Sequence, residues 1–277
     1  MSRLLAALFW LALCPALAAP RPAGAEPPPV RLVAAGSLTA ALGDVAQVFA
    51  DSTNQPVQTR FGPSGLMRQQ IEQGLPADLF ASANMAHPGA LHDAGLSGPV
   101  VVFARNRLCA LAQPGLGLTT DTLLDAMLDP ALRLGTATPG ADPAGDYAWR
   151  LFDRAEALRP HAGAALKAKA LQLTGGPDSA TPPQGRNLYG WVMTEHRADL
   201  FLTYCTNAMR ASADTPALEV LPLPEALSVG ASYGLTVMRG APPEAHELAM
   251  FILSPDGQAI LADYGFAVGR VQTGGRR

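Results

Sequence analysis

The sequence contains two similar stretches, Ala-Ala-Gly-Ser-Leu-Thr at residues 34–39 and Phe-Gly-Pro-Ser-Gly-Leu at residues 61–66. Each follows an apolar run typical of a strand and leads directly into a helical pattern, with Ser37 or Ser64 at the turn. A helix start offers N–H groups without intrahelical acceptors and the positive end of a dipole, and a serine adds a hydroxyl donor. Two such starts that face each other would bind a small anion. An ordinary N-cap role for each serine is the alternative.

Strand and helix patterns alternate along the rest of the chain. Strand-like runs occupy residues 30–35, 57–61, 76–83, 99–103, 108–113, 134–136, 199–204 and 231–238. Helical patterns follow at residues 38–49, 66–71, 145–158, 244–253 and 254–265, and residues 175–184 have the composition of a loop. This alternation predicts an α/β fold with a parallel sheet, whose ligands bind beyond the carboxyl ends of the strands. Ser37 and Ser64 are expected at that edge.

The composition and the N-terminus restrict where the protein acts. The formal net charge of −3 argues against nucleic acid or an anionic membrane as a partner, and 48% of the 277 residues are hydrophobic, enough for a large core. Residues 1–25 resemble a signal peptide, with Arg3 before the apolar run 4–13 and Ala16-Leu17-Ala18 as a cleavage site. We therefore expect a protein exported to the periplasm. A buried N-terminal helix is the alternative.

Two cysteines, Cys109 and Cys205, remain after removal of the predicted leader. An exported protein folds where disulfides form, so the two could be bridged. Two separate buried cysteines that pack as small apolar residues are the alternative. The sequence leaves both open.

Catalysis has weak support in the sequence. The stretch Gly62-Pro63-Ser64-Gly65 resembles a nucleophile elbow, but the second glycine follows the serine directly instead of standing two residues after it. The five histidines have neither metal-ligand spacing nor a motif that makes one of them a base. We expect no enzymatic activity, and a periplasmic serine hydrolase using Ser64 remains an alternative.

Several segments together resemble the periplasmic molybdate-binding proteins of molybdate ABC transporters. They are residues 33–39, 61–65, 71–83, 143–147, 202–208, 251–258 and 264–266. The resemblance implies a type II periplasmic binding protein fold, in which two discontinuous α/β lobes enclose a central ligand cleft. Residues 29–107 and 206–277 would form lobe 1 and residues 108–205 lobe 2, with crossing segments near 108 and 205. Closure would be a hinge motion about these crossings.

The same resemblance implies how the ligand is held. In that family neutral donors bind a tetrahedral dianion, and they correspond here to Ser37, Ser64, the backbone N–H of Ala144 and the hydroxyl of Tyr204. A further backbone donor corresponds to Arg186, where the family has a small apolar residue. The Arg186 guanidinium could clamp the anion and pair with Asp146 in the empty cleft, or it could point to solvent.

The resemblance also implies the ligand and the partners. The ligand would be molybdate or tungstate, with no cofactor, and Arg186 would instead suit sulfate or an organic anion. The protein would act as a monomer that delivers its anion to a membrane ABC permease. A sensory subunit that presents the anion to a membrane receptor is the alternative.

Overall fold

The computed structural model describes residues 27–267, so the predicted signal peptide lies outside the described residues. Within this range the strands are β1 Val30–Ala35, β2 Val57–Gly62, β3 Leu79–Ser82, β4 Val101–Ala112, β5 Leu134–Ala137, β6 Leu171–Thr174, β7 Leu200–Tyr204, β8 Glu219–Pro222 and β9 Gly230–Val237. The helices are α1 Thr39–Thr53, α2 Ser64–Glu72, α3 Ala86–Asp93, α4 Leu123–Leu128, α5 Pro143–Leu158, α6 Ala162–Lys169, α7 Leu188–Thr194, α8 Cys205–Asp214, α9 Pro243–Leu253 and α10 Pro255–Asp263.

The strands form one mixed sheet in the order β2-β1-β3-β9-β4-β7-β5-β6, with β8 also paired to β4. The predicted parallel arrangement holds for β1 with β2 and β3 and for β5 with β6 and β7. It is wrong for β4, β8 and β9, which pair antiparallel. The runs at 99–103 and 108–113, predicted as two strands, belong to the single strand β4, because the polar residues between them continue its ladder to β9.

Strand β4 joins two parts of the sheet. Its residues 101–107 pair with β9, whereas residues 108–112 pair with β7 and residues 109–112 also with β8. The predicted first crossing, near residue 108, lies within β4, and the division into two lobes remains a prediction. The predicted second crossing, near residue 205, remains a prediction.

The core consists of apolar side chains from both faces of the sheet and the helices packed on it. Its largest fully buried side chains include Phe49, Phe80, Phe152, Phe201 and Tyr233. Among residues 27–267, no helix is both long and apolar enough to cross a lipid bilayer.

A disulfide links Cys109 in β4 to Cys205, the first residue of α8. The two Cα atoms are 4.8 Å apart, and both residues are buried. Of the two alternatives left open by the sequence, the bridge is confirmed. The bridge fixes the start of α8 to β4 at the residue that follows Tyr204.

Candidate functional site

A cleft of about 530 Å³ opens where the parallel strands of both parts of the sheet end. Ser37 follows β1, Ser64 follows β2, Ala83 follows β3 and Tyr204 ends β7. The lining also includes residues from the opposite wall, namely Asp142, Gly175, Pro182, Arg186, Asn187, Leu188, Tyr189, Asn207 and Arg210. The cleft thus brings together four of the five predicted site residues; Ala144 is buried behind it.

Neither serine is an N-cap. The helices that follow Ser37 and Ser64 begin without a side-chain cap hydrogen bond, so the ordinary capping role is wrong for both residues. Ser64 is itself the first residue of α2, and Ser37 lies in a short 3₁₀ turn, Gly36–Leu38, before α1. Their hydroxyls are used elsewhere.

The Ser37 hydroxyl is oriented by a buried polar network. Its Oγ lies 3.0 Å from the Tyr233 hydroxyl, which also accepts a hydrogen bond from Asn106 Nδ2 at 3.4 Å. Because the Asn106 amide nitrogen can only donate, the Tyr233 hydroxyl accepts from it and can donate its own hydrogen bond to Ser37 Oγ. The Ser37 proton is then free to point into the cleft.

The Ser64 and Tyr204 hydroxyls meet at the backbone of Ala83. Ser64 Oγ accepts a hydrogen bond from Ala83 N–H at 3.1 Å, and Tyr204 donates a long one, 3.4 Å, to Ala83 O. Ser64 therefore keeps its own proton for a ligand, and the hydrogen bond from Tyr204 to Ala83 O is weak enough for a ligand to replace it. Burial raises the pKa of Tyr204 well above its ordinary value, so this hydroxyl remains a neutral donor.

The two predicted backbone donors are already engaged. Ala144 N–H donates to Asp142 Oδ1 at 2.9 Å, and Arg186 N–H donates to Pro183 O at 3.1 Å. Arg186 lines the cleft, and its side chain is partly exposed. The distance from Arg186 Nε to Asp214 Oδ2 is 3.9 Å. The suggested pair of Arg186 with Asp146 is wrong, because Asp146 accepts from Gly140 N–H at 2.8 Å instead.

Comparison with known protein families matches residues 30–267 to the bacterial extracellular solute-binding proteins. The chain belongs to this family. An uncharacterized protein of Pasteurella multocida is 39% identical over 241 residues, which are 86% of this chain and 98% of that protein. The molybdate-binding protein ModA of Mycobacterium bovis is 26% identical over 238 residues, 84% of this chain and 82% of ModA.

Solved structures of solute-binding proteins share the fold. The periplasmic molybdate-binding protein of Azotobacter vinelandii has a TM-score of 0.69 at 19% identity, over 87% of this chain and 100% of its own. The sulfate-binding protein SubI of Mycobacterium tuberculosis has a TM-score of 0.70 at 16% identity, over 86% and 85% of the two chains. These similarities confirm the predicted type II periplasmic binding protein fold.

The two walls of the cleft in this solute-binding protein touch at Gly65. Its N–H donates to Ala141 O at 2.9 Å, across from α2 to the loop that precedes α5. A Cβ atom at this position would lie 2.2 Å from Gly140 O and 2.8 Å from Ala141 O. Only glycine permits this approach of the two backbones.

Sequence reasoning missed Asp142 in the lining of the cleft and the buried pair Tyr233 and Asn106 that orients Ser37. Asp142 carried a recognisable signal, since an aspartate directly before a proline and a helical pattern is typical of an N-cap with proline at the first helical position. Tyr233 and Asn106 carried none, because their partners lie 196 and 100 residues away in the chain. Only the folded sheet brings them together.

The hydrolase alternative requires a base or a metal ion near Ser64. Among residues 27–267, no group of three or more His, Cys, Asp or Glu could hold a metal ion. The lining of the cleft includes no histidine among the described residues, and Ser64 Oγ accepts a hydrogen bond from the backbone N–H of Ala83. The hydrolase alternative thus gains no support from the geometry.

Proposed function

We propose that this protein is the periplasmic receptor of an ABC importer and that it binds a tetrahedral oxyanion, molybdate first among the candidates. The observation that supports this most strongly is the convergence of Ser37, Ser64 and Tyr204 in one cleft, where each hydroxyl can donate a hydrogen bond to a ligand. A dianion that has lost all its protons only accepts hydrogen bonds, and this set of hydroxyls only needs to donate.

Similarity supports the same ligand. The 26% identity to ModA extends over most of both chains, and the positions of the two serines and the tyrosine are those implied by the resemblance. Delivery to a membrane permease, action as a monomer and export by residues 1–25 complete the proposal. A sensory role would use the same site.

Replacement of Ser37 or Ser64 by alanine is expected to weaken molybdate binding about 10- to 150-fold, since a hydrogen bond to a charged group is worth ~1.5–3 kcal/mol. Without ligand, Ser64→Ala should also lower the free energy of unfolding by ~1–3 kcal/mol, because it removes the acceptor of the buried Ala83 N–H. Ser37→Ala should change stability less, because Tyr233 keeps its hydrogen bond with Asn106. Calorimetric titration with molybdate, tungstate, sulfate and phosphate measures the affinities. Thr39→Ala is the matched control, since Thr39 also lines the cleft but its hydroxyl already donates its proton to Gly36 O.

Unchanged molybdate affinity in both serine variants would contradict the proposed site. Failure of all four anions to raise the melting temperature would contradict the oxyanion proposal itself. A hundredfold excess of ligand over its Kd should stabilise the protein by ~2.7 kcal/mol, which a thermal scan detects easily.

The size of the cleft favours a second candidate, an organic anion. Its volume of about 530 Å³ falls within the range of sites for small organic ligands. Arg186 and Arg210 both line it and would suit a carboxylate or phosphate at the outer end of such a molecule. This candidate shares the hydroxyl donors but adds the arginines.

Replacement of Arg186 by alanine separates the two candidates. For an inorganic oxyanion held by the hydroxyls, we expect affinity to change less than about twofold, because the side chain is partly exposed and the anion would lie deeper. For an organic anion clamped by the guanidinium, we expect a loss of ~1.5–3 kcal/mol, which Arg186→Lys restores only in part. Titrations with molybdate and with a phosphorylated hydroxy acid measure both.

A further inference from the structure

A carboxylate occupies the position from which an oxyanion would bind the Ala144 N–H. Asp142 Oδ1 accepts that N–H at 2.9 Å, and the Asp142 side chain lines the same cleft as Ser37, Ser64 and Tyr204. An oxygen of a bound dianion at this N–H would have to replace Oδ1 or share the site with it. Two negative groups in one desolvated cleft repel each other strongly.

The Asp142 side chain has little room to move away. It is fixed on one side by its cap bond to α5 and on the other by Gly175, where a Cβ atom would lie 2.5 Å from Asp142 Oδ2. Gly175 has a φ of +76°, a left-handed conformation that glycine adopts readily, and its missing side chain makes the space for the carboxylate. The carboxyl group is thus held at the anion site.

The groups around Asp142 do not neutralise it. Asp146 on its own helix adds a second negative charge, while Tyr189 of α7, Tyr204 of β7 and Tyr233 of β9 are neutral because burial raises their pKa values. Arg186 and Arg210 line the cleft, but Arg186 lies beside Asp214 and Arg210 stacks over Tyr264. Burial, opposed by the Ala144 hydrogen bond, raises the pKa of Asp142 to about 6.

We propose that Asp142 is a specificity-determining residue. A fully deprotonated oxyanion binds only together with one proton, which lies between the Asp142 carboxyl group and an oxygen of the ligand. The inference rests on the proposed oxyanion site. For molybdate or sulfate, the proton comes from solvent and sits on Asp142, which then donates to an anion oxygen. An anion that carries its own proton, such as monohydrogen phosphate, donates it to the ionised Asp142, so the complex holds the same number of protons.

The sign of the pH dependence follows from this balance. Asp142 is mostly protonated at pH 5.5 and mostly ionised at pH 8 when its pKa is about 6. The affinity for molybdate and sulfate should therefore be full at the lower pH and fall with rising pH. The ratio of protonated fractions sets the limit, up to about 80-fold between these two pH values.

Calorimetric titration of the mature protein and its Asp142→Asn variant with sodium molybdate and sodium sulfate tests the proposal. The wild-type protein should lose up to about 80-fold in affinity from pH 5.5 to pH 8 and should take up close to one proton per anion at pH 8, measured in two buffers of different ionisation enthalpy. Asp142→Asn should bind more tightly than wild type at pH 8 and should take up no proton. Its affinity should differ by less than about twofold between pH 5.5 and pH 8. At pH 8, phosphate should bind wild type without proton uptake.

Asp146→Asn is the matched control, because Asp146 lies one helical turn away, outside the lining of the cleft, and its amide can still accept Gly140 N–H. It should keep the fall in affinity with rising pH and the proton uptake of wild type, with a midpoint at somewhat lower pH, because the charge of Asp146 contributes to the raised pKa of Asp142. The proposal is overturned when Asp142→Asn shows the same pH dependence and proton uptake as wild type while Ser37→Ala and Ser64→Ala still weaken binding. Loss of the serine effects as well would instead overturn the proposed function. Binding of none of these anions by either protein would overturn both.

Discussion

Gly65→Ala should weaken oxyanion binding by about a hundredfold or more. The new Cβ atom would lie 2.2 Å from Gly140 O, so the two walls of the cleft must separate. Overpacking usually costs about 1–3 kcal/mol, and we expect ~3 kcal/mol here because backbone atoms cannot rotate away from the new Cβ atom. The variant also loses the hydrogen bond from Gly65 N–H to Ala141 O when the walls move apart.

Small-angle scattering with and without molybdate, together with titration, measures this effect. The matched control is Gly43→Ala in the middle of α1, where an added Cβ atom meets no atom within 4 Å. That control should leave binding unchanged and raise stability by up to ~1 kcal/mol, because alanine is the better helix former. Tight binding by Gly65→Ala would show that the contact of the two walls is unnecessary for ligand capture.

Removal of the disulfide should produce the largest loss of stability. In Cys109→Ala/Cys205→Ala, the free energy of unfolding is expected to fall by about 4–5 kcal/mol, since the bridge closes a loop with a sequence separation of 96 residues. For a domain of this size the melting temperature should drop by roughly 10–20 °C. Chemical denaturation of the double variant and of wild type, with and without a reductant, provides the measurement.

Reduction of wild type should reproduce most of the loss, whereas the reductant should not affect the double variant. Ligand affinity at 25 °C should stay within about threefold, because neither cysteine lines the cleft. A stability change below about 1 kcal/mol would contradict the assigned role of the bridge. A large change in affinity would instead show that the bridge positions Tyr204, the residue that precedes Cys205.

The sequence predicted the architecture well where local pattern and tertiary environment agree. Strands β1 and β2 were located within one residue and helix α1 within four, because an apolar run and a 3.6-residue period are local signals. Helix α8 was missed, since Thr206 and Asn207, polar residues at its start, are buried and disguise its apolar face. The short strands β6 and β8, of four residues each, lack a sufficient pattern.

The candidate site was predictable in its donors and not in their orientation. Ser37 and Ser64 stand at turns that are recognisable in the sequence, but the bonds that free their protons come from Tyr233 and Ala83, which lie 196 and 19 residues away. The residue type at position 142 signals a cap, but not that the cap residue lines the cleft. Hydrogen-bond direction is a property of the assembled sheet.

The position of β9 between β3 and β4 governs the order in which the chain can fold. β9 comprises residues 230–237, so the edge of β3 stays unpaired until most of the chain is available. A nascent chain that ends before residue 230 exposes the row Leu79–Ser82, a ready template for mispairing. Because the sheet is completed only when β9 is added, the chain stays unfolded while it is made. An unfolded polypeptide can be threaded through a narrow pore.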